Sequence, residues 1–240
     1  EVSVLDFPMK QAMDEVFGRK GAGYERLAPS LFLTDGPYAN PYELATFYDN
    51  HDMPRMDASD EGFIDAHNWL FTARGIPVVY YGSEMGFMRG RAEHAGNRNY
   101  FGNEGIAAAR RSPIHAALAR IANVRAATPA LQRGVQVDIE LQGNRAAFYR
   151  VLQHGDVRQV ALVLLNKGDA AQRFDISSLL QPGQWRSALD GGTLDVRAGG
   201  TLSTDVAAHG VQVFVLDAAV TMPALQAALD RAMTGARRPR

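Results

Sequence analysis

An apolar run of the sequence ends in four consecutive polar residues. The segment TFYDNHDMPRM spans residues 46–56 and contains, in adjacent positions, Asp49, Asn50, His51 and Asp52. Three of these side chains can ionise or bind a metal, and the fourth is a hydrogen-bonding amide. Packing alone gives little reason for such crowding, so the pattern is typical of a strand that carries reactive groups to a site.

A metal site is one interpretation of this cluster, because Asp and His are suitable ligands and His51 could bind together with Asp49 or Asp52. Neighbouring residues at a strand end point in different directions, however, and the remaining histidines are scattered: His67, His94, His115, His154 and His209. We therefore predict that this chain binds no metal or other cofactor. We expect Asp49 and Asn50 to form a turn, and His51 and Asp52 to have a functional role.

Three apolar segments in the first 133 residues have the composition of strands, namely 1–7, 42–50 and 76–82. The last is a continuous apolar run, as in a strand buried on both faces, and we expect its Tyr80 and Tyr81 to lie inside the fold. Strands that alternate with helices predict a parallel sheet. In a parallel α/β barrel the active site lies at the carboxyl ends of the strands, which is where the polar cluster falls.

Helices are predicted between and after these strands, in the segments 8–21, 24–35, 59–75 and 112–131. The third is the best defined, because Ser59 or Asp57 can cap its start and Gly75 can close its end. A loop rich in Gly and Arg is expected at 83–112.

After Gly134 the sequence changes to short strand-like segments separated by Gly, Asn, Asp and Pro: VQVDIEL, RAAFYRVL, VRQVALVLLN, RFDIS, TLDV and GVQVFVL. This spacing predicts an antiparallel β-sandwich over residues 134–217. Its aromatic residues alternate with apolar ones and are expected in the core rather than on a sugar-binding surface: Phe148, Tyr149, Trp185 and Phe214. Residues 218–240 are predicted as a tail, with a small helix from Thr221 or Pro223 followed by the basic sequence ARRPR.

The composition excludes several classes of protein. The formal net charge of −1 argues against general nucleic-acid binding, which needs clustered Lys and Arg. No apolar run approaches the roughly 20 residues of a membrane span, so we predict no membrane partner. The chain has no cysteine, which excludes disulfides and thiolate chemistry. No signal peptide is visible, but the chain begins at Glu1 rather than Met, so the sequence does not indicate a cellular compartment.

Several motifs together resemble the α-amylase family of glycoside hydrolases. These are FYDNHDMPRM, then GIPVVYYGSEMGF about twenty-five residues later, then GNRNYF, while SVLDFPMKQAMDEVF resembles the segment around the sixth barrel strand of that family. Their order matches strands six to eight, the last barrel helix and the β-sandwich that follows the barrel. The resemblance therefore implies an α/β plus all-β fold: part of a (β/α)8 TIM barrel at 1–133, an antiparallel β-sandwich at 134–217 and a tail at 218–240.

The same resemblance implies roles for individual residues. Asp52 matches the third catalytic carboxylate, which binds sugar hydroxyls and favours a distorted, oxocarbenium-like transition state. His51 matches a neighbour that donates to the same sugar, and Arg98 matches a substrate-contacting arginine, although a structural ion pair is the alternative for Arg98. Cyclodextrin-forming relatives carry an acid four positions before that arginine, whereas this chain has His94 there and Glu93 one step away.

A retaining glycosidase also needs a nucleophile and an acid/base, and we find no Arg-x-Asp at a predicted strand end. We therefore expect this chain to be the C-terminal half of an enzyme acting on α-1,4-glucans, inactive when isolated. Its expected partners are an α-glucan oligosaccharide or polysaccharide and the missing N-terminal half of the barrel, where any calcium would bind. A glucan transferase and a non-catalytic carbohydrate-binding or structural fragment remain alternatives, and a secreted or periplasmic location would suit a starch-degrading parent.

Overall fold

A computed structural model describes residues 4–232 of the chain. The parallel pairing predicted for the first half is confirmed there: β1 (Ala45–Thr46) pairs in parallel with β2 (Ile76–Pro77), and Leu5 forms a parallel bridge to Ala45. The strands are much shorter than the predicted 42–50 and 76–82. Part of the predicted strand 1–7 lies outside the described residues.

The late start of β1 has a local cause. Asn40 accepts a hydrogen bond from the backbone N–H of Tyr42 and starts a 3₁₀ turn at Pro41–Glu43, where the sequence predicts a strand. Pro41 favours this turn because its ring fixes φ and removes a backbone donor. The ladder resumes only at Leu44, whose carbonyl accepts from Ile76 N–H at 2.8 Å.

Six α-helices occur among the described residues: α1 (Phe7–Phe17), α2 (Asp60–Thr72), α3 (Gly102–Ala109), α4 (Pro113–Ala127), α5 (Pro129–Arg133) and α6 (Pro223–Ala232). Ser59 is the residue that caps α2, accepting from Gly62 N–H at 3.2 Å. Gly75 follows the end of α2 with a φ of +99°, a value that favours glycine. Helix α3 lies in the segment expected to be a loop. The predicted helical excursion after residue 24 is a 3₁₀ helix, Tyr24–Ser30.

Eight antiparallel strands follow α5: β3 (Val135–Gln142), β4 (Arg145–His154), β5 (Val157–Asn166), β6 (Gln172–Ile176), β7 (Gly183–Ser187), β8 (Thr193–Val196), β9 (Leu202–Val206) and β10 (Gly210–Leu216). They form a six-stranded sheet in the order β3-β4-β5-β10-β7-β8 and a two-stranded sheet, β6-β9. The sequence does not predict β7 and β9. Both strands are short, and polar residues at alternate positions leave too few apolar residues to form a recognisable strand pattern.

The large sheet is buried on both faces. One face packs against the helices of the first half, where Phe148 lies edge-on to Trp69 with ring centroids 5.6 Å apart. The other face packs against the two-stranded sheet and α6, around Tyr149 and Trp185. The expectation that the aromatic residues of this half are core residues is therefore confirmed. In α6 the buried residues are those of the predicted apolar face: Leu225, Ala228, Leu229 and Ala232. The basic end of the predicted tail, ARRPR, lies outside the described residues.

Two buried arginines join the C-terminal end of α2 to the rest of the molecule. Arg150 on β4 donates to the carbonyl of Thr72 at 2.7 Å, and Arg125 on α4 donates to the carbonyl of Phe71 at 3.1 Å and to that of Gly75, just beyond the helix, at 2.8 Å. The last carbonyls of a helix have no partner within the helix, so these side chains supply donors where the backbone lacks them. Over residues 4–232, no helix is both long and apolar enough to cross a membrane.

Candidate functional site

The first residue of the polar cluster, Asp49, is buried within the fold. It is 3% exposed and accepts hydrogen bonds from the backbone N–H of Met56 and from the hydroxyl of Ser83, both at 2.8 Å. Burial raises the pKa of the Asp49 carboxyl above its usual range. Asn50 accepts from the backbone N–H of Asp52 at 2.9 Å. Both residues therefore shape the turn, as expected from the sequence.

Asp52 occupies the exposed side of the same turn. Its side chain is 59% exposed, and its two oxygens have different partners. Oδ1 lies 2.7 Å from Nη2 of Arg98, and Oδ2 lies 3.1 Å from Nε2 of His51. The structure thus brings together the three residues that the sequence indicates, although Arg98 is 46 positions from Asp52. The accessible carboxylate can still accept hydrogen bonds on its remaining lone pairs.

The loop that carries Arg98 is fastened to the turn by several hydrogen bonds. Arg98 Nε donates to the carbonyl of His51 at 3.0 Å, and the side-chain amide of Asn97 donates to the same carbonyl at 2.7 Å. Asn97 is fully buried, and its own carbonyl accepts from the hydroxyl of Tyr80 at 2.8 Å. The turn and the loop therefore form one hydrogen-bonded unit.

The two tyrosines that follow β2 lie at this site. The ring of Tyr80 is 6.5 Å from that of His51, and Tyr81 is 37% exposed and donates to the carbonyl of Asn99 at 2.7 Å. The expectation that both are interior residues is wrong, because β2 ends at Pro77, Tyr80 is only half-buried and Tyr81 is exposed. Sequence reasoning also misses Asn97, although it lies within the motif GNRNYF, because a buried asparagine has no distinctive pattern.

The chain has His94 four positions before Arg98, with Glu93 one step away. Glu93 and His94 are exposed and pair with each other, with 3.2 Å between His94 Nε2 and Glu93 Oε1. His94 has a φ of +61°, and its backbone N–H donates to Asn97. Arg98 pairs with Asp52 instead of with an acid in this loop. Among residues 4–232, no group of three or more His, Cys, Asp or Glu side chains is arranged to hold a metal ion.

Comparisons with known sequences agree with the resemblance. No protein-family model matches the chain. A cyclomaltodextrin glucanotransferase from Paenibacillus macerans is 27% identical over 235 residues, which covers 93% of this chain and 31% of that protein. An α-amylase from Streptomyces lividans is 29% identical over 170 residues, covering 57% of this chain and 18% of that protein. The chain therefore spans less than a third of the length of these relatives.

Solved structures of cyclomaltodextrin glucanotransferases and α-amylases also resemble the chain. The cyclomaltodextrin glucanotransferase CldA, described as having a three-domain ABC distribution, superposes with a TM-score of 0.70 and 30% identity, covering 90% of this chain and 45% of that one. An Anoxybacillus α-amylase superposes with a TM-score of 0.73 and 22% identity, covering 92% and 48%. An α-amylase from Geobacillus thermoleovorans, solved with acarbose, has a TM-score of 0.71 and 21% identity, covering 90% and 48%.

These matches show which class of proteins the chain resembles. Cyclomaltodextrin glucanotransferases and α-amylases cover most of the chain, and its structural neighbours are α-amylase family enzymes. The resemblance to the C-terminal half of an α-amylase family glycoside hydrolase is thereby confirmed.

Proposed function

We propose that the chain forms the C-terminal part of an α-amylase-type enzyme that acts on α-1,4-glucans by a retaining mechanism. Residues 1–133 then supply part of a (β/α)8 barrel, 134–217 a β-sandwich domain and 218–240 a tail. The parallel strands β1 and β2 and the antiparallel sheets that follow are consistent with this division. The rest of the barrel would supply the nucleophile and the acid/base.

The observation that carries the proposal is the arrangement around Asp52. An exposed carboxylate, an exposed histidine and an arginine meet on loops that follow two parallel strands. Sugar hydroxyls are good donors to a carboxylate, and the hydrogen bonds that bind them strengthen as the ring distorts towards an oxocarbenium ion. Only interactions that are stronger in the transition state accelerate the reaction. Asp52 therefore acts as the third catalytic carboxylate, while His51 and Arg98 bind the same sugar.

Arg98 has two roles in this scheme. Its guanidinium pairs with the Asp52 carboxylate and orients it, and the exposed part of the same group offers further donors to a glucan hydroxyl. The alternative of a purely structural ion pair is less suitable, because both side chains are 59% exposed and an exposed pair contributes little to stability. An α-glucan is the partner that these groups suit, and one structural neighbour was solved with acarbose and another, AmyP, with maltose.

A glucan transferase is the second candidate, supported by the cyclomaltodextrin glucanotransferases among the relatives. Water and an acceptor sugar compete for the same glycosyl-enzyme intermediate, so the two activities share the chemistry of Asp52. The absence of an acid at position 94 removes one feature of the cyclodextrin-forming relatives.

The test is an assay of the intact protein that carries this chain, with starch as substrate and with separate detection of reducing ends and cyclodextrins. We expect α-1,4-glucan cleavage that is lost in Asp52→Asn. Reducing ends as the main product support the hydrolase, and cyclodextrins support the transferase. A folded protein that neither cleaves starch nor transfers glucan units, but binds them, is the carbohydrate-binding alternative.

A further inference from the structure

One charged side chain is buried behind the candidate site. Arg55 is 3% exposed, and its guanidinium carbon lies 4.9 Å from the ring centre of Tyr80, 5.0 Å from that of Tyr81 and 5.6 Å from that of Phe87. Its Nε donates to the carbonyl of Gly96 at 2.8 Å, and its Nη1 donates to the carbonyl of Tyr81 at 2.9 Å. One side chain of the turn thus contacts both segments that flank the site.

The bond to Gly96 matters because the next two residues reach the site directly. Asn97 donates to the carbonyl of His51, and Arg98 pairs with Asp52. Gly96, Asn97 and Arg98 are therefore each held by a different hydrogen bond, and the bond from Arg55 holds the first of them. Without it, the Arg98 backbone loses the fixed starting point from which its side chain extends to Asp52.

We propose that Arg55 is a positioning residue of the α-glucan site, which holds the loop at 96–98 and the ring of Tyr80 so that Arg98 meets Asp52. The inference rests on the proposed function only for the identity of the ligand, an α-glucan. The positioning of the loop by Arg55 does not depend on it. Arginine suits the task because its planar fork donates in two fixed directions while its face stacks on aromatic rings. A lysine provides one flexible point charge and cannot do both.

The test compares three variants of the intact protein that carries this chain. Arg55→Met removes the donors and the charge, and Arg55→Lys keeps the charge but not the fork. Arg125→Met is the matched control, because Arg125 is also a buried arginine that donates to backbone carbonyls, those of Phe71 and Gly75, and it does not contact the candidate site. The first measurement is hydrogen exchange of the amides at 96–99, made well below the melting temperature of each variant.

We expect Arg55→Met to speed exchange at 96–99 about tenfold, with a smaller rise in Arg55→Lys, since local opening becomes easier when an anchor is lost. Arg125→Met lowers the melting temperature without changing exchange at 96–99. If Arg55→Met does not fold, Arg55→Lys decides the question alone. Unchanged exchange at 96–99 in a folded Arg55 variant, or an equal rise in Arg125→Met, overturns the inference.

The second measurement is the affinity for maltotriose. Arg55→Met weakens binding about tenfold, the scale of a lost hydrogen bond with a charged donor, and has no further effect in an Arg98→Met background because the two residues act through one contact. Additive losses in the double variant contradict the proposal. If the unmutated protein does not bind maltotriose, the proposed function fails, and the exchange measurement still decides whether Arg55 positions the loop.

Discussion

Arg98 Nη2 lies 2.7 Å from Asp52 Oδ1, and this contact closes the gap between two loops that are 46 residues apart in the chain. Each loop follows a strand of the same parallel pair, and hydrogen bonds from Asn97 and Arg98 to the carbonyl of His51 hold the two loops together. The Asp52 side chain stays 59% exposed in this contact, so its carboxylate remains accessible from solvent.

Asp52→Asn is expected to keep the fold of the intact enzyme and to lower turnover on starch about a hundredfold or more, comparable to removing one preorganised transition-state hydrogen bond. The amide retains the size of the carboxylate but loses its charge. The measurement is kcat and KM on starch, with Asp205→Asn as a control, because Asp205 is an exposed aspartate on β9 that pairs with Arg173. Near-normal hydrolysis by a folded Asp52→Asn enzyme contradicts the assignment.

Chelation is expected to leave the cluster at 49–52 unaffected. Asp49 binds inward to Met56 and Ser83, whereas Asp52 faces Arg98, so the oxygens of the two acids are committed to different partners. Elemental analysis of the purified chain, before and after EDTA, should find no stoichiometric transition metal. A metal ion within bonding distance of His51 in an experimental structure contradicts this prediction.

The 240-residue chain alone is expected to be inactive on starch. Several apolar side chains on or next to the parallel strands and at the start of α1 are exposed in the described residues, namely Val4, Leu5, Phe7, Ile76 and Val78. Leaving such surface in water forfeits roughly 25 cal/mol per Å², against a native stability of about 5–15 kcal/mol. We expect fast hydrogen exchange or self-association over 42–82, and slow exchange over 135–217. A monomer that hydrolyses starch, with slow exchange throughout 42–82, refutes this.

Asp6→Asn is expected to destabilise the protein by about 3–5 kcal/mol, the usual cost of leaving a buried charge without its partner. Asp6 and Arg74 form an ion pair in which neither side chain is exposed, and Thr46 donates to the same carboxylate at 3.0 Å. The measurement is urea unfolding of the intact protein, and the matched control is again the exposed pair of Asp205, where Asn should have little effect. Equal stability losses in the two variants disprove the argument from burial.

His67 is expected to make stability depend on pH. Burial lowers the pKa of His67 to about 3, and its Nε2 lies 2.7 Å from the hydroxyl of Tyr48. The unfolded histidine takes up a proton near pH 6.5 while the folded one stays neutral, so this stabilisation is complete above about pH 6.5 and is lost as pH falls towards about 3. Unfolding free energies measured across this range should decline as pH falls, and His67→Gln should flatten the decline relative to the exposed control His154→Gln.

The sequence predicts whether a segment is a helix or a strand wherever neighbouring residues determine it. The start of α2 follows from Ser59, and its buried face follows from the spacing of Phe63, Ala66 and Leu70. The aromatic residues Tyr149 and Trp185 are predicted correctly as core residues, because alternation with apolar neighbours is a property of adjacent positions. The polar cluster at 46–56 indicates a site, and the resemblance of this motif to the α-amylase family indicates Asp52 and His51 within it.

What the sequence does not determine depends on contacts between distant residues. The two-residue length of β1 reflects how few partners its backbone finds, and no local pattern shows that. Arg55 and Asn97 are ordinary polar residues in the sequence, and only the fold shows that the first is buried under aromatic rings and the second is buried in hydrogen bonds. The resemblance indicates Arg98, but only the fold shows that it is exposed and paired with Asp52. The physical reason is that the burial and pairing of a charged side chain depend on which segments the tertiary structure brings within hydrogen-bond distance. Asp52 and Arg98 are 46 positions apart, and a contact over that separation produces no periodic pattern in the sequence.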